Sequence, residues 1–320
     1  MTLWHSFKFL SVAVLFALSP QGASSSALRT VRIVVPNPPG SSTDILARIV
    51  ADRVPQAEDV TMIVENRPGA GNIVGSEYVA HAAPDGGTLL VNAPPFVIDP
   101  YLHKLSYDPF TSFEPVCDLA NAPSLIVVNG DSKIRTVADF LNAAWAKPGT
   151  LTVGAVGPGT TSHIAVEALK HAAGVDMIFV PYPGTQAVTA LLGHNVDVVL
   201  TAYPVVAGLV SSGKLRALAT TNPARIEPLP DLPTVAESGY TGYGLDFWMG
   251  IVAPAKTPLE TVSLLGRWFA AAVQSPETKA KLREQGIYPV GICGAEFAGF
   301  IHKQSEEYGR IIREANIKLE

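Results

Sequence analysis

The chain has 320 residues, of which 48% are hydrophobic and 16% charged, and its formal net charge is −5. This composition excludes a disordered chain, and because no basic stripe is present it also excludes a nucleic-acid binder. The length is sufficient for two domains.

The first thirty residues are typical of an export signal. An apolar run at 9–18 follows Lys8, and small residues at 25–27 supply a cleavage site. The run is shorter than the roughly 20 residues that span a bilayer, and a buried N-terminal helix is the less favoured alternative. We expect a signal peptide at 1–27, cleavage near Ala27 and export to a bacterial periplasm.

After Arg29, short apolar runs alternate with segments of helical periodicity. We predict strands at 31–35, 60–64 and 88–91 and helices at 44–53 and 76–83. A second series follows, with strands at 125–128, 151–154, 177–180, 196–200 and 215–220 and helices at 137–146, 162–173, 185–192 and 204–212. Alternating strands and helices are typical of a parallel sheet that carries helices on both faces.

The last hundred residues differ in character. A proline-rich crossing at 223–233 precedes a predicted strand at 245–252 and helices at 258–274, 276–285 and 295–315. Since these helices have no strand series of their own to cover, we expect them to return to the first lobe. The prediction is an α/β fold with a discontinuous lobe (31–117 plus 221–320), a continuous lobe (118–220) and a hinge of two chain crossings.

Two strand-to-helix loops, at 36–44 and 157–163, have a composition suited to an anion. Neither contains lysine or arginine, so backbone N–H groups, hydroxyls and the helix dipole would hold the charge. Both lie at the carboxyl ends of strands, where ligands bind in open α/β sheets. Taken singly, each loop is also consistent with an ordinary capped turn. The residues that begin the two helices are Gly40, Ser41, Ser42, Thr43 and Asp44, and Gly159, Thr160, Thr161, Ser162 and His163.

Three other patterns imitate functional motifs. The glycines at 69–75 resemble a dinucleotide fingerprint, but their last spacing is one residue too long, so we expect a helix-start turn and no cofactor. Ser162 and His163 are adjacent, and chain neighbours seldom reach the geometry of a catalytic triad. The seven histidines show no metal-ligand spacing. The sequence therefore favours neither an enzyme nor a metalloprotein.

Several strings resemble one family, in order and at its spacing. They are Ile-Val-Val-Pro-Asn-Pro-Pro-Gly-Ser-Ser-Thr-Asp at 33–44, Val-Glu-Asn-Arg-Pro-Gly-Ala-Gly at 64–71, Ala-Pro-Asp-Gly at 83–86, Leu-Ser-Tyr-Asp-Pro at 105–109, Gly-Pro-Gly-Thr-Thr-Ser-His at 157–163, Val-Pro-Tyr at 180–182, Gly-Lys-Leu-Arg-Ala-Leu-Ala at 213–219 and Leu-Pro-Thr-Val-Ala-Glu at 232–237. They are similar to the Bug family, the periplasmic solute receptors of tripartite tricarboxylate transporters. The resemblance implies a periplasmic binding protein of the Venus-flytrap, type II-like kind, which closes on a small carboxylate and is not an enzyme.

The resemblance also implies which residues bind the ligand. Backbone and hydroxyl groups of the two loops would grip one carboxylate group, through Asn37, Pro39, Gly40, Ser41, Ser42, Thr43 and Asp44 and through Gly159, Thr160, Thr161, Ser162 and His163. The distal end of the ligand would meet segments that contain Ala93, Phe96, Gly184, Thr185, Thr201 and Tyr203.

Departures from the family pattern concentrate at that distal end. Many members have Lys-Gly at 183–184 and Asp-Asn at 201–202, where this chain has Pro-Gly and Thr-Ala. Asn37 stands where the family usually has an aromatic residue, and Ser41 where it has glycine. We therefore expect a ligand with an uncharged or weakly polar distal end, and Phe96, Tyr203 and Trp248 are candidates for an apolar lining.

The resemblance implies a monomer that delivers its ligand to membrane transporter subunits. Two alternatives stay open: a ligand-sensing receptor for a membrane histidine kinase and, less favoured, an exported enzyme on the same scaffold. Family members usually lack both Cys117 and Cys293, so the fold does not need a bond between them. An oxidising compartment permits a disulfide, and the sequence leaves its presence open.

Overall fold

Residues 30–318 are described by the computed structural model, and they form two sheets with helices packed against their faces. The predicted export segment and cleavage site lie outside these residues. The arrangement is the two-lobed α/β fold that the sequence predicts. Between residues 30 and 318, none of the helices is long and apolar enough to cross a membrane.

The strands and α-helices of this region follow one another along the chain as follows. The strands are β1 (Thr30–Val35), β2 (Thr61–Asn66), β3 (Thr88–Asn92), β4 (Phe113–Asn121), β5 (Ser124–Asn129), β6 (Thr152–Val156), β7 (Ile178–Tyr182), β8 (Val198–Ala202), β9 (Leu215–Thr220), β10 (Trp248–Pro254) and β11 (Tyr288–Cys293). The α-helices are α1 (Ser42–Arg53), α2 (Ile73–Ala80), α3 (Pro95–Leu102), α4 (Val137–Ala146), α5 (Thr161–Ala173), α6 (Gln186–Leu192), α7 (Tyr203–Ser211), α8 (Leu259–Gln274), α9 (Pro276–Glu284) and α10 (Ala295–Glu314).

Both sheets are mixed. The six-stranded sheet has the order β11-β4-β10-β3-β1-β2, and the five-stranded sheet has the order β7-β6-β8-β5-β9. Strand β10 is antiparallel to β3 and β4, and β5 is antiparallel to β8 and β9. The prediction of purely parallel sheets is therefore wrong at these strands. A parallel neighbour needs a crossover connection, whereas β5 and β10 enter their sheets directly from the other lobe.

Three elements were missed in the sequence. Helix α3 begins with a proline and contains Pro100, which made it look like a loop. Strand β11 contains Pro289 and Gly291, residues that are tolerated because β11 lies at the edge of its sheet. Strand β4 carries Pro115 and Asp118 in its interior, so its apolar alternation is broken.

The crossings between the lobes lie later in the chain than predicted. Strand β4 stays paired with β10 as far as Asn121, so the chain leaves the six-stranded sheet there and not at 117. It rejoins that sheet at β10, after the segment 221–247. Asp246 joins the two crossings, because its carboxylate accepts hydrogen bonds from the side-chain amides of Asn121 at 3.1 Å and Asn222 at 2.7 Å.

Helices from the end of the chain cover the six-stranded sheet. Phe269 of α8 packs in the cluster that includes Ile33 of β1, and Phe297 of α10 packs in the cluster on the other face, beside Trp248. Successive strand residues point to opposite faces, which is why both Ile33 and Val34 are fully buried.

Cys117 on β4 and Cys293 on β11 occupy opposing positions in the ladder and form a disulfide. The sequence left this bond open because β11 was not predicted, and only the pairing of β11 with β4 brings the two side chains together.

Candidate functional site

The loop before α1 is built around the helix N-terminus. Gly40 has φ +83°, a conformation that favours glycine, and Ser41 is the N-cap whose Oγ accepts from the Asp44 N–H at 3.3 Å. The Gly40 N–H donates to Asp44 Oδ2 at 2.9 Å. These contacts fix the loop while leaving the first two helical amides, those of Ser42 and Thr43, without intrahelical partners.

The loop before α5 repeats this construction in the other lobe. Gly159 has φ +78°, and Thr160 is the N-cap whose Oγ1 accepts from the His163 N–H at 3.4 Å. The Gly159 N–H donates to His163 Nδ1 at 3.2 Å. The first helical amides, of Thr161 and Ser162, are again left free of intrahelical bonds.

A cleft of about 540 Å³ lies between the lobes, and both loops open into it. Most of the predicted binding residues line it: Asn37, Ser41, Ser42, Thr43, Ala93, Gly159, Thr160, Thr161, Ser162, Gly184, Thr185 and Thr201. Thr161 Oγ1 is a buried hydroxyl oxygen that has no hydrogen-bond partner among residues 30–318. Two helix N-termini with free amides and an unpartnered hydroxyl are groups suited to an anion, so this end of the cleft is the candidate anion site.

Six of the predicted residues do not line the cleft: Pro39, Gly40, Asp44, Phe96, His163 and Tyr203. Gly40, Asp44 and His163 support the loops from behind. Burial alone would raise the pKa of Asp44, but hydrogen bonds from Arg48, the Gly40 amide and Asn66 hold it below its usual range. Burial lowers the pKa of His163, whose ring lies 4.5 Å from that of Phe179. His163 is therefore neutral at pH 7, with Nδ1 as the acceptor.

The predicted aromatic lining is not found. Phe96 packs edge-to-face on Phe113 with 5.1 Å between ring centroids, and Trp248 is fully buried beside Phe297. Tyr203 is the first residue of α7. The aromatic residue that does line the cleft is Phe247, together with the apolar side chains of Val156, Leu200 and Val205.

Asn37 holds the first loop in place. Its side-chain oxygen accepts from Thr43 Oγ1 at 2.8 Å, and its side-chain nitrogen donates to Asn72 Oδ1 at 2.7 Å. Gly71 and Asn72, from the glycine-rich turn before α2, also line the cleft. That turn was predicted as a helix start without a cofactor, and its contribution to the cleft was missed.

Sequence reasoning also missed Asp99 and His103, which line the cleft from α3. Pro95 and Asp99 are spaced by four residues and so share one face of α3, and His103 is the residue that follows the helix. That spacing is a usable signal once α3 is recognised as a helix. Of the residues between 30 and 318 that line the cleft, none is a lysine or an arginine, and Asp99 is the only carboxylate.

A larger groove of about 940 Å³ lies on the five-stranded lobe, away from both loops. Its wall includes Arg216, whose guanidinium is already bonded to the backbone carbonyls of Gly130, Ser132 and Ile134. The groove has no pair of helix N-termini, so we assign the candidate site to the smaller cleft between the lobes.

Comparisons with known proteins agree with this geometry. Residues 46–317 match the model of the tripartite tricarboxylate transporter family receptor. The periplasmic binding protein BugD is 31% identical with a TM-score of 0.76, over 91% of this chain and 99% of that one. A Rhodopseudomonas palustris protein, Rpa4515 with adipate, is 32% identical with a TM-score of 0.80, over 92% and 100%. MatC of the same organism, with bound malate, is 27% identical with a TM-score of 0.74, over 89% and 99%.

Proposed function

Because the chain belongs to the tripartite tricarboxylate transporter family of receptors, we propose that it captures a small carboxylate in the periplasm and delivers it to the membrane subunits of such a transporter. Like its family and its structural neighbours, it is a solute-binding protein and not an enzyme. Two of these neighbours hold dicarboxylates, adipate in Rpa4515 and malate in MatC.

The observation that carries the proposal is the pair of matching loops that open into one cleft from opposite lobes. Each offers two amides at a helix N-terminus, and the second adds the unpartnered hydroxyl of Thr161. A hydrogen bond to a charged acceptor contributes about 1.5–3 kcal/mol, so three such bonds suffice for micromolar binding without an arginine.

The rest of the cleft supports a ligand whose distal end is uncharged. Leu200, Val205 and Phe247 line it, and no lysine or arginine side chain from the described part of the chain reaches it. Burying a charge without a partner costs several kcal/mol. A ligand with a second charged group would therefore bind less tightly than one with a neutral tail of the same length.

The experiment that tests this function begins with the ligand carried by the protein. Mass spectrometry of small molecules released from protein purified from the periplasm should identify a carboxylate. The same acid should raise the melting temperature and reduce the radius of gyration in solution scattering, because the lobes close on it. A released compound without a carboxylate, or an acid that stabilises the protein and is turned over, would overturn the proposal.

N-terminal sequencing of the periplasmic protein tests the proposed export. A mature N-terminus near Leu28 is expected, and an intact Met1 would contradict it.

A further inference from the structure

Helix α3 brings a carboxyl group into a cleft whose other ionisable lining, within the described part of the chain, is His103 alone. Asp99 lines the cleft one helical turn beyond Pro95. The residue is only 4% exposed, and Oδ2 is buried with no hydrogen-bond partner among the described residues. A buried polar atom without a partner is rare in folded proteins, because its desolvation is not compensated. Asp99 is therefore equipped to bond to a group that enters the cleft.

We propose that Asp99 is a specificity-determining residue that accepts a hydrogen bond from a hydroxyl group on the distal part of the ligand. The ligand is then a hydroxy-substituted monocarboxylate, with its carboxylate on the two loops and its hydroxyl on α3. This inference rests on the proposed function, since it needs a carboxylate held at the paired helix N-termini.

A ligand that carries a second carboxylate or an ammonium group in place of the hydroxyl fits the cleft lining less well. A second carboxylate on the ligand would meet an aspartate in a cleft that has no lysine or arginine, and two like charges at short range repel. An ammonium group would find one acidic partner and then the apolar side chains of Leu200, Val205 and Phe247. A hydroxyl group needs only one acceptor and is satisfied by Asp99.

The protonation of Asp99 provides a readout of this contact. Burial raises the pKa of Asp99 to about 7, so its charge changes within the range in which the protein can be assayed. His103, the residue after α3, is the other ionisable group among the described residues that line the cleft. Tyr107 stays neutral, because burial raises its pKa to about 12.

Among the described residues, the elements packed against α3 carry charged groups that include Glu77 of α2 and Arg313 of α10. Glu77 of α2 accepts a hydrogen bond from Ser106. The turn at 70–72 has no ionisable side chain. Helix α10 contacts α3 through Tyr101, whose ring lies below Arg313, and Tyr101 points away from Asp99 around the helix.

The experiment compares matched acids of four and six carbons that end in a methyl, hydroxyl, ammonium or second carboxylate group. Calorimetric titration of the wild-type protein should show the hydroxy acid of one length binding about tenfold more tightly than the unsubstituted acid. Asp99→Leu should abolish this preference, and Asp99→Asn should keep it, because the amide oxygen still accepts a hydrogen bond. Asp118→Asn is the matched control, since Asp118 is a buried aspartate on β4 that does not line the cleft.

The pH dependence of ligand binding tests Asp99 separately from His103. It remains informative even when Asp99→Leu does not fold. Binding of the dicarboxylate should weaken by about tenfold between pH 6 and 8, because the ligand is fully ionised in this range while Asp99 becomes charged. Asp99→Asn should remove this trend, and His103→Gln should retain it.

The outcomes distinguish the inference from the function on which it rests. If the acids bind but the hydroxyl preference is absent, or if the pH trend survives in Asp99→Asn, the inference is wrong and the carboxylate receptor stands. If no acid in the panel binds, both fail. A preference for the ammonium acid that is lost in Asp99→Asn would also overturn the hydroxyl assignment.

Discussion

The two loops that open into the cleft, one from each lobe, have nearly the same structure. Each has a left-handed glycine, a hydroxyl N-cap and a third helical residue whose side chain accepts from the glycine amide. They differ in that third residue, which is Asp44 in the first loop and His163 in the second. The same backbone geometry is thus held by a charged group in one lobe and by a neutral one in the other.

This difference changes what surrounds the proposed anion site. Asp44 places a negative charge near the N-terminus of α1, and Arg48 neutralises it through contacts of 3.0 Å to both carboxylate oxygens. His163 needs no counter-ion and rests on Phe179. The first loop is therefore held mainly by a network of charges and amides, and the second mainly by packing and one hydrogen bond.

The two loops should differ most in stability when the side chain of the third helical residue, Asp44 or His163, is removed. Asp44→Ala leaves the Gly40 amide, Asn66 and Arg48 without their acceptor, so we expect the free energy of unfolding to fall by about 2–3 kcal/mol. His163→Ala removes one acceptor and should lower it by about 1 kcal/mol. Chemical denaturation measures both, and an equal loss for the two variants would contradict the distinction.

The hydroxyl groups at the first helical position should differ in their effect on ligand affinity. Thr161→Val removes the buried, unpartnered hydroxyl at nearly constant volume and should weaken binding about 10- to 100-fold. Ser42→Ala, in the first loop, should cost less than about tenfold, because Ser42 is partly exposed and water competes for its hydroxyl. Calorimetry with the acid that gives the largest thermal shift tests this, and a larger effect at Ser42 would reverse the assignment.

Substitution of the left-handed glycine should lower stability equally in the two loops. Gly40→Ala and Gly159→Ala each force a side chain into a positive φ, so each should lower the free energy of unfolding by about 1 kcal/mol. Gly157→Ala is the control, because its φ is not positive and an added Cβ would meet no atom within 4 Å. A loss at Gly157 as large as that at Gly159 would mean that the positive φ does not set the effect.

As the pH falls, the second loop should lose stability at a higher pH than the first. We expect this effect to be smaller than those of the substitutions above. Burial lowers the pKa of His163 in the folded protein, so its contribution to stability is present above about 6.5 and is lost as the pH falls below that value. Asp44, whose pKa is also lowered, loses its contribution only below about 3.8.

The loss of stability between pH 6.5 and 5 should disappear in His163→Asn, whose amide oxygen can still accept from Gly159. It should persist in Asp44→Asn. Melting temperatures across this range provide the measurement, and an unchanged profile in His163→Asn would place the effect elsewhere.

Much of this protein was determined locally by its sequence. Turn chemistry and helical spacing are properties of a few neighbouring residues, so the loops at 36–44 and 157–163 and the helices that follow them were predicted. The membership of a receptor family followed from the same segments, because they carry its motifs. Capping residues such as Thr136, with Asp139, mark a helix start without reference to the rest of the fold.

The tertiary structure decided whatever depends on residues distant in the chain. The edge strand β11 has a proline and a glycine and is recognisable as a strand only through its pairing with β4, which also joins Cys117 to Cys293. Asp99 lies in a proline-interrupted segment with no local sign of a site, and it lines the cleft only because α3 packs against α10, α2 and the turn at 70–72. The aromatic residues that the sequence suggested for the cleft went into the core, since burial of a large apolar side chain is favourable wherever the fold offers space. Phe247 lines the cleft because the crossing at 221–247 reaches it at its last residue, a placement that no local pattern records.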